Sequence, residues 1–348
     1  MRLGCTLGSL GGVGAGPAGY AELAREAERQ GYDSVWSAEG FGTDPVGLLA
    51  WIAAQTTTIG LGTAVAQLSS RSPVTAAMTA ATLAQISGGR FRLGLGPSGP
   101  KVTEGWHGQP YRQPLARTRD YVAVLRMALA GRPVQYAGET ITLPVPGSTV
   151  EPMAMHVPAQ LPPVPVYLAG LGPKSIALAG EIADGWLPVH CPPEFVAASR
   201  AQLAAGAARA GRSLAGFDVA AMTFVAVDED DALARDMMRP LLALYLGGMG
   251  TRGANFYYGL AGRLGFAGAA ARIQEAYLGG HLDDAAAAVP DEMVDTMTTA
   301  GTPDRVRDRL AAYRDAGTTT LIAALVPPSL AERREQLAWI AELAPGIS

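Results

Sequence analysis

SGGRFRLGLGPSGPKVTEGWH, residues 87–107, decides between two folds. It contains Gly94-x-Gly96-x-x-Gly99, which matches the fingerprint of dinucleotide-binding loops in open, doubly wound sheets. That fingerprint opens a helix directly and is followed about 20 residues later by an acidic residue at a strand end. Here Pro97 and Pro100 delay any helix, and the later position falls among Arg117, Thr118, Arg119 and Asp120, inside a helical pattern. The nicotinamide reading is therefore set aside. What remains is a short buried strand at 91–96 running into a glycine- and proline-stiffened loop that carries polar and aromatic groups. It reads as a ligand loop at the end of a strand, with a plain tight turn as the bland alternative.

Working outward, the chain alternates. A strand at 2–7 is followed by a helix from Pro17, whose Tyr20, Leu23, Ala24 and Ala27 share one face and which Gly31 ends. Strand 32–37 precedes helix 45–55, which Asp44 caps and Pro45 starts; strand 58–65 precedes helix 73–86, with Ser72 and Pro73 in the same roles. After strand 91–96 come helix 114–130, strand 165–169, helix 173–182, strand 184–188, helix 193–210 and strand 217–227. Helix 302–316, strand 319–325 and helix 329–343 close the chain. Eight strands, each with a following helix, predict an α/β fold of the closed (β/α)8 TIM-barrel class rather than an open sheet. The reading is one barrel domain over 1–348 with insertions at about 131–164 and 228–300. The first insertion, rich in Pro, Gly and Thr, is expected as an irregular or hairpin segment over the barrel mouth.

Composition bounds the rest. Of 348 residues, 49% are hydrophobic and 17% charged, enough for a large core. A net charge of −4 from 27 basic and 31 acidic residues leaves no electrostatic footprint for nucleic acid. Cys5 and Cys191 lie far apart with no metal-ligand spacing, so both are expected reduced and structural, with no metal. No apolar run approaches the roughly 18 residues of a membrane span, and the N-terminus does not resemble a signal peptide. A cytoplasmic protein with a small-molecule substrate is the expectation.

In such barrels the chemistry sits at the C-terminal ends of the strands. The residues there include Glu39 after the second strand, Thr63 to Gln67 after the third and Gly96 to His107 after the fourth. After the fifth, Ala169-Gly170-Leu171-Gly172-Pro173-Lys174-Ser175 offers helix N-terminal amides to an anion, a phosphate cradle. Glu39, Glu104 and His107 are the candidate catalytic acid–base groups, each weighed against a bracing or surface role. Trp106 has the loop context of a ring-stacking residue, whereas Trp36 and Trp186 read as packing. His190 follows the sixth strand and points toward the mouth if the register holds; a dyad with Cys191 is disfavoured because neighbours on an extended chain face opposite sides. Gly247-Gly248-Met249-Gly250 with Asn255-Phe256-Tyr257-Tyr258 reads equally as a lid or as helix packing.

Several of these segments together carry a family resemblance: Asp33-Ser34-Val35-Trp36 with Glu39, Ile59 to Val65, Ser87 to Gly96, Ser98-Gly99-Pro100, Glu104 to Gly108, Ile182 to Trp186, Gly301 to Asp304 and Tyr313 to Gly317. The chain resembles the bacterial luciferase-like superfamily over nearly its whole length, and most closely its deazaflavin-dependent branch. The resemblance implies a TIM-type barrel that binds coenzyme F420 and transfers hydride, reducing a C=C or C=N bond of a small molecule. It implies a non-prolyl cis peptide at Ala64–Val65 under the cofactor ring. Cofactor contacts are then expected from Thr63, Ala64, Val65, Gly96, Pro97, Ser98, Gly99 and Trp106, and from Ala169, Gly170, Leu171, Gly172, Pro173 and Lys174. A homodimer is a further expectation of the resemblance. Sugar-phosphate dehydrogenases of the family carry an Asp-His pair where this chain has Ala38-Glu39, so that activity is not expected. Two alternatives stay open: an FMN-dependent luciferase-like monooxygenase, and a non-catalytic cofactor-binding barrel.

Overall fold

The computed structural model describes residues 1–7, 16–40, 42–158 and 160–344. Its strands are β1 (Arg2–Thr6), β2 (Ser34–Ser37), β3 (Gly60–Thr63), β4 (Ala66–Gln67), β5 (Phe91–Gly96), β6 (Tyr136–Ala137), β7 (Thr142–Leu143), β8 (Val166–Ala169), β9 (Gly185–Leu187), β10 (Asp218–Val227), β11 (Thr299–Gly301) and β12 (Thr320–Leu325). Parallel pairing runs β10, β12, β1, β2, β3, β5, β8, β9 and returns from β9 to β10, so these eight close on themselves. The expected (β/α)8 TIM barrel is the observed one. β4 and β11 are short additions paired to β5 and β10.

Helices α1 (Gly16–Arg29), α2 (Pro45–Ala53), α3 (Pro73–Ile86), α4 (Pro100–Thr103), α5 (Pro114–Leu129), α6 (Pro173–Ile182) and α7 (Pro193–Arg209) follow the strands of the first three quarters. Asp44 and Ser72 cap α2 and α3 through side-chain bonds to Gly47 N and Thr75 N, and proline takes the first turn of both helices. Between β10 and β11 lie α8 (Asp231–Ala243), a π-helical turn (Leu244–Gly248), α9 (Phe256–Arg263), α10 (Ala267–Leu278), α11 (Leu282–Ala287) and α12 (Asp291–Met297); α13 (Pro303–Asp315) and α14 (Leu330–Leu343) complete the ring.

Two apolar clusters organise the interior. One lies between the barrel strands and the outer helices, with Leu49, Leu61, Phe91, Val225 and Leu321 among its members. The other fills the barrel with Trp36, Leu187, Met222, Phe224 and Ile322 and continues into the helical insertion through Met238, Leu246 and Leu260. No helix among the described residues is long and apolar enough to cross a membrane.

The 131–164 segment differs from expectation. It is a hairpin, β6 with β7, but it does not cover the mouth. Asp120 of α5 holds it from outside the barrel, accepting bonds from the Tyr136 hydroxyl, the Thr140 amide and hydroxyl, and the Ile141 amide. The chain then descends past α3, and residues 154–158 and 161–165 reach the opposite end of the barrel. There they wall a groove of about 1100 Å³ with Arg2, Tyr167, Asp184 and Asp218, at the strands' N-terminal ends. A buried carboxylate on α5 with four donors is the anchor, and composition alone cannot show it.

Candidate active site at the C-terminal ends of the strands

The third strand stops earlier than its apolar run predicts. β3 ends at Thr63, the Ala64–Val65 bond is cis, and pairing resumes as β4 against β5. The bulge is held from three sides: Ala64 N donates to Ser37 O, Glu39 N donates to Val65 O, and the Thr63 hydroxyl donates to Gly94 O. Glycine is required opposite. A Cβ on Gly96 would lie 2.6 Å from Val65 Cγ2, and one on Gly94 would overlap the Thr63 carbonyl.

Glu39 sits beside this bulge as a brace. Its Oε2 accepts from Gln67 N at 2.7 Å and Ser70 Oγ at 2.9 Å, and its Oε1 pairs with Arg71 at 2.7 Å. Gln67 extends the network, donating from Nε2 to Glu39 O and accepting through Oε1 from the His107 ring at 3.0 Å. Because Gln67 spends its N–H on Glu39, its Oε1 fixes the proton on His107 Nε2. Nδ1 has no partner among the described residues. The structure therefore brings Glu39 and His107 together through Gln67. Glu104 is apart from them, exposed, and accepts from Tyr111 N at 3.1 Å.

The loop from β5 leaves through Pro97 and Ser98, whose φ is +57°, to the short α4. Lys101 on α4 donates to Gly248 O of the π-helical turn at 2.7 Å, tying the loop to the insertion. Trp106 is 64% exposed. Across the mouth, Gly170 packs against Ser175, where a Cβ would lie 2.6 Å from Oγ. The Gly172 amide, at the N-terminus of α6, donates to that hydroxyl, and Lys174 is exposed on the first turn. Trp186, fully buried, supports the turn by donating to Gly170 O at 2.9 Å. Trp36 is likewise buried, bonded to Ser34 Oγ and edge-on to Tyr167, so neither indole faces a ligand. Both cysteines are buried free thiols.

Over a continuous span of residues 3–320 the sequence matches the profile of the luciferase-like monooxygenase family. The chain belongs to that family. Among its relatives, a Mycobacterium tuberculosis protein provisionally named a coenzyme F420-dependent oxidoreductase is 40% identical over 332 residues, 92% of this chain and 94% of that one. The 5,10-methylenetetrahydromethanopterin reductase of Methanolobus tindarius is 32% identical over 87% of this chain and 89% of its own. Among solved structures, the coenzyme F420-dependent tetrahydromethanopterin reductase of Methanopyrus kandleri superposes with a TM-score of 0.83 at 26% identity, covering 100% and 99% of the two chains. The resemblance read from the motifs is thus borne out, and this luciferase-like barrel has relatives named for F420 chemistry.

Ser70 and Arg71 escaped the sequence reading; they and Gln67, noted only for its place after the third strand, are neighbours of Glu39 because the bulge folds back. Of the two readings of the glycine run, the contacts of Gly247 and Gly248 with Tyr277 of α10 are those of close helix packing. The Gly-Gly pair was the available signal for that packing.

Proposed function

We propose that the chain is an F420-dependent oxidoreductase that reduces a C=C or C=N bond of a small molecule by hydride transfer from reduced F420. The observation that carries this reading is the glycine-lined bulge: an apolar floor at Ala64–Val65 faces Gly96, in a chain 40% identical to a provisionally named F420-dependent oxidoreductase.

The residues present fit the cofactor. Ala64 and Val65 offer a flat ring no polar side chain and are backed by the barrel's apolar cluster, which excludes water. Gly96 to Gly99 let the backbone approach, and Gly170 to Lys174 set a helix N-terminus and a cation where a phosphate would lie. When bound, F420 supplies a carbon-centred hydride carrier that moves electrons in pairs. The remaining requirement is a proton for the atom next to the one receiving hydride. His107 can hold and release that proton at Nδ1, while its Nε2–H bond to Gln67 fixes the ring. Glu39, with both oxygens bonded, orients Gln67 and Arg71.

A paired titration of the purified protein with F420 and with FMN, following cofactor fluorescence, tests the reading. Tight F420 binding with weak FMN binding is expected. A clear preference for FMN would move the assignment to monooxygenase chemistry, and binding of neither would leave a barrel without this cofactor.

A further inference from the structure

Beyond β9 the chain continues as Pro188-Val189-His190 alongside β10. Val189 bridges Met222, Met222 N donates to Pro188 O, and His190 N donates to Met222 O, both at 2.8 Å. This sets the His190 imidazole at the C-terminal end of the barrel. It stacks on Phe224 with centroids 3.7 Å apart and planes at 18°. Tyr245, on the π-helical turn, meets it edge-on at 4.5 Å, and Tyr257, on α9, lies at 6.0 Å.

Two features of His190 are unfavourable and unrepaid by the protein. Its φ is +55°, a left-handed conformation that a β-carbon disfavours. It is also 1% exposed, with neither Nδ1 nor Nε2 partnered among the described residues. A buried imidazole with one donor and one acceptor both idle points to a ligand that is bound in the working state. Burial drops its pKa to about 3, so the ring is neutral.

The surroundings define the ligand. The rings against it, Phe224, Tyr245 and Tyr257, are aromatic and belong to or pack on the interior apolar cluster that also holds Leu187, Cys191, Met222 and Leu246, and burial raises the Cys191 thiol. The cations stand at the rim: Lys101 on Gly248 O, and Arg263 on Leu171 O and over Phe195. An ionised head group would find no counter-charge inside, whereas stacked rings accept a flat one. Ala64, Val65, Ala169 and Leu171 pack against the same cluster, which places it beside the loops assigned to the cofactor.

We propose that His190 is the substrate-recognition residue, its imidazole bonding the heteroatom of a flat, uncharged, conjugated acceptor held among Phe224, Tyr245 and Tyr257. The assignment rests on the F420 reading of the mouth. The chain has four histidines, so ring ¹⁵N labelling of histidine alone resolves each, and His190→Gln assigns the signal. The probes are 2-cyclohexen-1-one, an enone, and 3,4-dihydroisoquinoline, a cyclic imine, added to F420-loaded protein.

His190 resonances are expected to move with at least one probe, identifying the acceptor class, while those of His156 and His281 stay fixed. His190→Leu should weaken that probe about tenfold, the loss of one neutral hydrogen bond, with F420 affinity retained and partial recovery in His190→Gln. Unmoved His190 resonances with both probes, as for a ring satisfied by buried water, would overturn the proposal while leaving the cofactor reading intact. Failure of the wild type to bind F420 would overturn both.

Discussion

Glu28, near the end of α1, carries a loop on one carboxylate oxygen, accepting from the amides of Thr57, Thr58 and Ile59 and from the Thr58 hydroxyl. Partial burial alone would raise its pKa; the amides of Thr58, Ile59 and Thr57 and the hydroxyl outweigh that and hold it at about 2, below the usual 4.5. A depressed carboxylate stabilises the fold fully above the unfolded pKa and loses that contribution as pH falls through 4.5 toward 2. Glu28→Gln should therefore cost about 1–3 kcal/mol at pH 7 in denaturant unfolding, with the deficit shrinking as the pH is lowered below 4.5. His190 acts in a higher window. With its pKa lowered from 6.5 to about 3, the unfolded chain takes the proton first, so stability is unaffected above pH 6.5 and falls as the pH drops below it. The slope is at most about 1.4 kcal/mol per pH unit. Between pH 6.5 and 5 the wild type should lose stability and His190→Gln should lose much less; equal slopes would mean the ring is not held neutral.

Arg90 shows how elements are joined. Its guanidinium donates to the carbonyls of Ser87, Ile59, Ala53 and Thr56 and to the Thr56 hydroxyl, gathering the C-terminal turns of α2 and α3 at the start of β3. A lysine has no planar fork to reach these acceptors together. Arg90→Lys should lower stability by about 2–4 kcal/mol, read as a drop in Tm. Elements of this kind were the most legible part of the sequence. Pro45, Pro73, Pro114, Pro173, Pro193 and Pro303 each open a helix where the pattern places one, because proline's fixed φ suits the first turn. The bulge at 64–65 was legible only through family resemblance, since Gly-Thr-Ala-Val reads locally as an uninterrupted strand. The π-helical turn and the hairpin's position were not legible, because each depends on partners far along the chain: Tyr277 for Gly247 and Asp120 for Thr140. The same limit hid Glu39's partners Ser70 and Arg71, about thirty residues away, and the lack of a hydrogen-bond partner for the His190 ring nitrogens among the described residues.

The molecule as a whole separates its two ends. At the N-terminal ends of the strands, buried Asp218 accepts from the Tyr167 hydroxyl at 2.9 Å, from the Thr319 and Thr320 hydroxyls, and pairs with Arg2 at 2.8 Å. It thereby joins β8, β10, β12 and β1 across the closure of the barrel. Asp218→Ala leaves three hydroxyls and an arginine without their acceptor and should cost about 2–4 kcal/mol in unfolding measurements. With the cofactor at the opposite end, as proposed, F420 affinity should be unchanged; a matching loss of affinity would show that the ends are coupled. The long β10 adds one more consequence. It outruns the barrel, and its last residues pair with β11, with Asp228 N bonded to Gly301 O, so the helical excursion between them departs and returns at a single point. The two ends of the segment lie on paired strands, although its helices share the barrel's interior apolar cluster. A different helical segment spanning 229–298 would have to meet only these two neighbouring ends and that cluster, so length and sequence can change there while the barrel strands keep their register.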